Sequence, residues 1–233
     1  MKLFCCYTPA HEVLYSSVFR PSIPHGYEVH ASVVDERGPG DYLSAEFLRC
    51  IREKVRLIAQ SLEESPDEPI VWSDVDIRLV DMSPDRLLAD FRTSEVDIAF
   101  QMESPRMRDV NTGFFVCRAT QPVRDFFARM GCELGSDASM NEQMAANKLL
   151  KIPAATENLR WGHLPPAYYA RTHGWPPPRN LALYHANYTK GCDAIGQKLA
   201  QFAELEKIVK GGRLAWIASI VRRIPGKIFP GHQ

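Results

Sequence analysis

The chain has 233 residues, of which 45% are hydrophobic and 24% are charged; this composition indicates a soluble globular protein with a sizeable core. Its 28 basic and 28 acidic residues balance, so the net charge gives no overall attraction to nucleic acid. None of the 6 cysteines forms a CxxC pair, which argues against a zinc ribbon or a thioredoxin-type site and favours reduced core thiols. No apolar stretch suits a signal-peptide core or a membrane span, so we expect a cytoplasmic protein.

Predicted strands and helices alternate along the chain. Apolar or alternating runs predict strands at 2–7, 27–34, 70–72, 96–100, 111–119, within 158–165 and at 181–185. Helical spacing and terminal signals predict helices at 43–62, 83–91, 121–131 (ended by Gly131) and 140–150. Because no internal repeat or long linker divides the chain, this order predicts one α/β domain over residues 1–210, with a mixed, mostly parallel sheet and helices on both faces.

Two aspartates follow the apolar run "IVW", in the stretch "IVWSDVDIRLV". Asp74 and Asp76 are two positions apart, and such residues on an extended segment point the same way. In open α/β sheets, ligands bind at the carboxyl ends of the strands. Hard oxygen ligands there suit Mg²⁺ or Mn²⁺, which link protein carboxylates to substrate phosphates. The alternative, that both are solvated turn residues, stays open on this motif alone.

The same stretch resembles the DxD segment of nucleotide-diphospho-sugar glycosyltransferases with a GT-A fold. The resemblance is to the retaining group related to plant cell-wall xylosyl- and galactosyltransferases and to the glycogenin and lipooligosaccharide galactosyltransferase type. Further motifs extend from about Lys54 to about Lys198 in the family's order. The resemblance implies a GT-A-like domain that moves a sugar from a nucleoside diphosphate sugar, UDP-linked, to a glycan or lipid-linked hydroxyl with retention.

The resemblance also implies a metal site. In "LYHANYTKG", His185 corresponds to the family's late histidine, the third metal ligand beside Asp74 and Asp76. Imidazole together with two carboxylates suits Mn²⁺ better than Mg²⁺. Lys190 and Gly191 would then contact the diphosphate, the lysine as a point charge and the glycine through its backbone N–H.

Two further motifs are implied to face the donor sugar. In "NTGFFVCRA", the Asn111 amide can bond sugar hydroxyls, while Gly113 lets the backbone approach closely. In "NEQMAAN", Glu142 and Gln143 stand where the family has Asp-Gln, and Asn147 keeps the family's spacing. The role of Glu142 is open between a general base on the acceptor side and a carboxylate that stabilises the sugar from below.

Four other residues complete the predicted site. Lys54 matches a basic residue that these enzymes carry on the helix before the DxD strand, with its neighbouring arginines as alternatives. Tyr7 and Thr8, at the end of the first strand, occupy the usual position of the nucleotide base by fold analogy. Asp97, in "EVDIAF", either faces the sugar or ends a strand.

Two rival functions follow from the same residues. The first is a non-catalytic module that binds sugar nucleotides or glycans. The second, a DxD-type phosphohydrolase, is disfavoured because its nucleophilic aspartate lies on the first strand, and "KLFCCYTP" has none. Separately, residues 211–233 form a basic tail with apolar positions in helical spacing, which predicts either peripheral contact with the inner face of a membrane or a docked C-terminal helix.

Overall fold

The computed structural model describes residues 1–38, 42–104, 107–137, 139–173, 177–189, 193–212 and 216–218. Its strands are β1 (Lys2–Tyr7), β2 (Glu28–Val33), β3 (Ile70–Ser73), β4 (Ile77–Leu79), β5 (Ile98–Ser104), β6 (Met107–Cys117), β7 (Trp161–His163), β8 (Tyr168–Ala170) and β9 (Leu183–His185). Its α-helices are α1 (Glu12–Leu14), α2 (Arg20–Ser22), α3 (Ala45–Glu63), α4 (Pro84–Thr93), α5 (Gln121–Ser136), α6 (Glu142–Leu150) and α7 (Ala194–Lys210). Single helical turns lie at Pro9–His11, Tyr15–Phe19, Pro153–Ala155 and Arg171–His173.

Within these residues the strands form a large and a small sheet. The large sheet has the order β2-β1-β3-β6-β5-β7, and the small sheet has the order β4-β9-β8. In the large sheet β1 runs parallel to β2 and β3, and β5 runs parallel to β7. Strand β6 is antiparallel to both β3 and β5. The predicted mixed, mostly parallel sheet is therefore confirmed.

Alternate side chains of the central strands enter separate hydrophobic cores. Val71 and Phe114 face the core that also contains α4, α7 and the small sheet. Trp72 and Phe115 face the core made with α3, α5 and α6. Because successive residues of a strand point to opposite faces, this alternation places helices on both sides of the large sheet, as predicted.

Serine side chains cap the starts of two helices, and one predicted helix end is wrong. The hydroxyls of Ser44 and Ser83 accept hydrogen bonds from the first turns of α3 and α4. Gly131, however, does not end α5, which continues to Ser136. The reason is that Leu134 is buried one turn beyond Met130, so core packing extends the helix past a glycine that lacks the left-handed conformation of a helix stop.

Several elements were missed in the sequence: β4, β8, the helical turns before β2, and α7. Helix α7 does carry a helical stripe, because Ile195, Leu199, Phe202 and Leu205 pack against one core. Strands β4 and β8 have three residues each, too few for a periodic signal. These elements are important for the site, since β4 and α7 bring distant residues to the aspartates.

The basic tail expected over residues 211–233 lies mostly outside the described residues. In its described part, the Trp216 indole N–H donates to the Pro177 carbonyl at 2.8 Å. The Arg179 guanidinium lies 5.7 Å from the centre of the same ring. Among the helices of the described ranges, none has the length and apolar character needed to cross a membrane.

Candidate functional site

Asp74 and Asp76 lie in the short connection between the two sheets. The Asp74 backbone N–H donates to the Gly113 carbonyl at 2.7 Å, which ties it to the large sheet. The Asp76 carbonyl accepts from the Ala186 N–H at 2.9 Å, which ties it to the small sheet. Strand β4 then pairs with β9 so that Ile77 lies opposite His185. The connection between the sheets thus holds both carboxylates beside the late histidine.

The predicted metal ligands are brought together. One ligand atom from each of Asp74, Asp76 and His185 lies within 4.8 Å of the other two. Asp76 and His185 are buried, and Asp74 is partly exposed. Two carboxylates and an imidazole around one point are a donor set that suits Mn²⁺.

Hydrogen bonds orient the His185 ring. Its Nδ1 lies 2.8 Å from Gln101 Oε1, and the Gln101 amide N–H donates to the Tyr168 carbonyl at 3.2 Å. The second bond fixes which end of the amide is oxygen, so the Nδ1 of His185 carries a proton. In the neutral ring Nε2 is therefore an acceptor that is free to bind a cation.

A cation fits the space that Nε2 faces. His185 Nε2 lies 3.3 Å from Asp76 Oδ1, and this buried oxygen has no hydrogen-bond partner among the described residues. Two acceptors facing each other at this distance repel unless a proton or a metal ion lies between them. The unpartnered oxygen is thus an observation from the structure that supports a metal at this point.

Gly113 leaves room for the same group of atoms. A Cβ at this position would lie 2.4 Å from His185 Cε1, 3.0 Å from Asn111 Oδ1 and 3.1 Å from Asp74 Oδ2. Carbon atoms in proteins approach to about 3.5–4.0 Å, so a side chain at Gly113 would displace the histidine. The glycine of the predicted Asn-x-Gly motif therefore lets β6 pack directly against two of the candidate ligands.

Lys54 links Asp74 to Glu142. Its buried ammonium lies 2.6 Å from Asp74 Oδ1 and 2.8 Å from Glu142 Oε1. Burial alone would lower the pKa of Lys54, but the two carboxylates raise it above its usual range. Burial raises the pKa of Asp74; Lys54 opposes this rise, and the nearby carboxylates of Asp76 and Glu142 add to it. The lysine predicted to contact the donor thus pairs with the buried carboxylate of Glu142 and the partly exposed one of Asp74.

Lys198, on α7, makes the corresponding contact with Asp76. Its Nζ lies 2.6 Å from Asp76 Oδ2. Burial alone would raise the pKa of Asp76, but the charge of Lys198 holds it well below its usual range. Helix α7 begins at an Asp193 cap whose side chain accepts from the Gly196 N–H. This lysine, 122 residues from its partner in the sequence, was not among the predicted site residues.

Asn111 lies at the site, but its amide is already hydrogen-bonded. It donates to Glu103 Oε2 at 2.6 Å and accepts from the Gly113 N–H at 2.8 Å. Gln143, half-buried, follows Glu142 on the first turn of α6. Asn147 bonds both the N–H and the carbonyl of Val110, at 2.8 and 2.9 Å. The "NEQMAAN" motif therefore fastens α6 to β6, which brings Glu142 to Lys54.

Asp97 is not brought to this cluster. It precedes β5 at the end of the sheet where Ile98 and Ile70 both pair with Cys117, whereas the candidate ligands lie beyond Ser73. Its carboxylate accepts from the Arg160 guanidinium at 2.7 and 3.2 Å. A carboxylate at this position ends a strand and holds the β7 segment, and the structure does not place it facing a sugar.

Tyr7 and Thr8 lie at the expected edge, at the carboxyl end of β1. The Tyr7 ring stacks on Tyr15 with centroids 4.4 Å apart, and the Thr8 hydroxyl lies 3.0 Å from His11 Nδ1. Burial lowers the pKa of His11, and the charge of Lys198 lowers it further, so this end of β1 is electrostatically coupled to Lys198. Lys190 and Gly191 lie outside the described residues.

The fold and the site together define a class of protein. A mixed sheet with a DxD connection leading to a small second sheet, and a late histidine beside the aspartates, is the arrangement of a GT-A glycosyltransferase. Residues 17–202 match the family model described as nucleotide-diphospho-sugar transferase, and the chain belongs to this family. No curated protein gives a match to the sequence.

Solved glycosyltransferase structures share this fold. A glycosyltransferase involved in the glycosylation of the major capsid of PBCV-1 has a TM-score of 0.59 at 15% identity, over 86% of this chain and 98% of its own. GlyE of Streptococcus pneumoniae TIGR4 has a TM-score of 0.50 at 9% identity, over 87% of this chain and 63% of its own. An active-site mutant of LgtC has a TM-score of 0.50 at 10% identity, over 87% and 96%. The GT-A fold predicted from the motifs is confirmed.

Proposed function

We propose that this transferase uses a divalent cation, Mn²⁺ in preference to Mg²⁺, to move a sugar from a UDP-sugar to a glycan or lipid-linked hydroxyl with retention. The observation that carries the proposal is the cluster of Asp74, Asp76 and His185, whose ligand atoms lie within 4.8 Å of one another. The unpartnered Asp76 Oδ1 facing an imidazole nitrogen supports it. Mn²⁺ is the choice because an imidazole is part of the set.

The site residues divide between metal and donor. Asp74, Asp76 and His185 would hold the cation. When bound, it would supply Lewis-acid stabilisation of the charge on the leaving diphosphate. Lys190 and Gly191 would contact the same diphosphate.

Other residues would orient the donor. Asn111 and Gln143 would hold sugar hydroxyls so that the anomeric carbon faces the acceptor. The Asn111 amide donates to Glu103 Oε2 at 2.6 Å, so this hydrogen bond would have to break or be shared when a sugar hydroxyl binds. Tyr7 and Thr8, at the end of β1, would contact the nucleotide base.

The surroundings of Glu142 support retention. An inverting enzyme needs a carboxylate base that is free to accept a proton from the acceptor. Glu142 is buried and accepts from Lys54 at 2.8 Å and from the Thr112 hydroxyl at 3.4 Å. The Lys54 ammonium thus already holds Glu142 Oε1. We therefore assign Glu142 to positioning Lys54 rather than to proton abstraction.

A thermal-shift panel tests the donor and the metal. UDP, GDP and dTDP are each added with and without Mn²⁺, and we expect a selective, metal-dependent rise in Tm with UDP. A ligand at 100 times its Kd stabilises the native state by about 2.7 kcal/mol. Asp76→Asn should lose the Mn²⁺-dependent part of the rise. No shift with any nucleotide, or the same shift in the variant, would contradict the proposal.

Turnover separates an enzyme from a binding module. Wild-type protein incubated with UDP-sugars and Mn²⁺ should release UDP, even if only by slow hydrolysis in the absence of an acceptor. Binding without any release would favour the non-catalytic alternative. The anomeric configuration of the first product, read by NMR coupling constants, checks retention.

The acceptor and the location belong to the same proposal. A lipid-linked acceptor would place a cytoplasmic enzyme at the inner face of a membrane, where the basic residues beyond Lys210 meet anionic lipids. Co-sedimentation with anionic liposomes compares the full chain with one that ends at Lys210. Equal binding by both would remove the membrane contact from the proposal.

A further inference from the structure

Lys198 pairs with a carboxylate that a metal ion would use. Its Nζ lies 2.6 Å from Asp76 Oδ2, and only 15% of the lysine side chain and 12% of the aspartate side chain are exposed. Asp76 Oδ1 faces His185 at 3.3 Å. A partly buried ammonium and a divalent cation at this point would compete for the charge of one carboxylate.

The charges of the site favour a bound cation. Asp74, Asp76 and Glu142 supply three negative charges, while Lys54 and Lys198 supply two positive charges. With neutral His185 the cluster carries one net negative charge. A bound divalent cation would make the net charge of the cluster positive, and the negative diphosphate would then be attracted to it.

We propose that Lys198 is a displaceable counter-ion that couples metal binding to donor binding; this inference rests on the proposed function. Without metal its ammonium neutralises Asp76. When the cation takes the carboxylate, the ammonium moves to the diphosphate oxygens beside the cation. The four-carbon stem and rotatable donors of a lysine suit such a move. Lys54 is not equivalent, because it is shared between Asp74 and Glu142 and keeps one partner if the other is taken.

Opposite effects on the two ligands follow. Replacing Lys198 by methionine removes the competitor, so Mn²⁺ alone should bind about tenfold more tightly. UDP should bind about tenfold more weakly in the presence of saturating Mn²⁺, because its ammonium partner is lost. Coupling between two ligands in proteins is commonly about 5–150-fold and reciprocal, so UDP should enhance Mn²⁺ binding less in this variant than in the wild type.

The test measures binding directly. Free Mn²⁺ is followed by EPR without nucleotide, and UDP binding by calorimetry at saturating Mn²⁺. Lys198→Met is compared with Lys198→Arg, which keeps the charge and should bind Mn²⁺ no more tightly than the wild type. Lys207→Met, an exposed lysine of the same helix, should leave both affinities unchanged. An equal gain in Mn²⁺ affinity in the Lys207 and Lys198 variants would show a general charge effect and overturn the proposal.

A labelling experiment on the wild type gives a readout that does not depend on a variant folding. Acetylation of Lys198, followed by mass spectrometry, should be slow without metal, faster with Mn²⁺ and slow again when UDP is added. Reactivity that Mn²⁺ does not change would overturn the proposal. If the wild type binds Mn²⁺ and UDP but Lys198→Met changes neither affinity, only this inference fails. If the wild type binds neither ligand, the proposed function fails as well.

Discussion

Gly113→Ala tests whether the backbone of β6 is part of the candidate metal centre. The new Cβ would lie 2.4 Å from His185 Cε1, about 1 Å inside the normal contact distance between carbon atoms. It would also lie 3.0 Å from Asn111 Oδ1 and 3.1 Å from Asp74 Oδ2. The imidazole cannot keep its position, because the methyl group would occupy part of its volume.

The magnitude follows from this overlap. Added methylene groups in a packed core typically cost about 1–3 kcal/mol, and we expect the free energy of unfolding to fall by that amount. Disturbing the orientation of a metal-bound histidine typically costs about 10–100-fold in metal affinity. Mn²⁺ affinity should fall by this factor. A loss of stability alone would not weaken binding in a protein that stays folded, so the weaker binding would report on the site itself.

Urea unfolding and EPR titration with Mn²⁺ measure the two effects, and Gly131→Ala is the matched control. A Cβ at Gly131 has no heavy atom within 4 Å, and alanine inside a helix is favoured over glycine by about 0.5–1 kcal/mol. That variant should be slightly more stable and bind Mn²⁺ normally. If Gly113→Ala keeps wild-type Mn²⁺ affinity, the His185 position in the proposed site is wrong.

Three further substitutions probe the residues around the centre. Gln101→Leu removes the acceptor that fixes the His185 ring, and the EPR titration should show Mn²⁺ affinity reduced about 10–100-fold; an unchanged affinity would contradict the tautomer argument. Asp97→Asn should leave Mn²⁺ binding intact but lower stability at pH 7 by about 1–2 kcal/mol. The hydrogen bonds from Arg160 lower the pKa of Asp97. Their contribution to stability is therefore present above the unfolded pKa of about 3.9 and is lost as pH falls through the folded pKa. In urea unfolding at pH 7 and pH 3, the free energies of unfolding of wild type and variant should converge at the lower pH. Lys54→Met removes the ammonium from Asp74 and Glu142 and should cost about 3–5 kcal/mol, part of which Mn²⁺ should restore in a thermal melt; a variant as stable as the wild type would show that Lys54 does not stabilise these carboxylates.

Sequence patterns located the candidate ligands and Lys54, but not Lys198 and Gln101, which contact Asp76 and His185. Asp74 and Asp76 follow an apolar run, and that local signal predicted a cation site at a strand end. Lys198 and Gln101 lie 122 and 84 residues from the atoms they contact, and no local spacing relates them. Gln101 does carry a weak signal, because it is a polar residue directly after the apolar run Ile98–Phe100 of β5. Its role becomes clear only when β9 places His185 next to β5.

Two other expectations show where local rules end. Gly131 looked like a helix stop because glycine commonly ends helices, yet the buried side chains around it continue the helical pattern. Asp97 was expected either to face the sugar or to end a strand, and it lies at the amino end of β5, whereas the candidate ligands follow the carboxyl end of β3. The pairing of Ile98 with Cys117 resolves this point, since it puts Asp97 beside Arg160 and away from Ser73.

The position of the DxD segment between the two sheets explains why the ligands come from such distant parts of the chain. Asp74 is fixed by the Gly113 carbonyl of the large sheet, and Asp76 by the Ala186 N–H of the small sheet. His185 ends the strand that pairs with β4, and its ring is held by Gln101 of the large sheet. The ligand set is therefore complete only when both sheets are packed together. The spacing of the two aspartates thus determines how the two sheets are connected as well as the geometry of the metal site. A one-residue insertion between the aspartates would therefore disrupt the connection and the site.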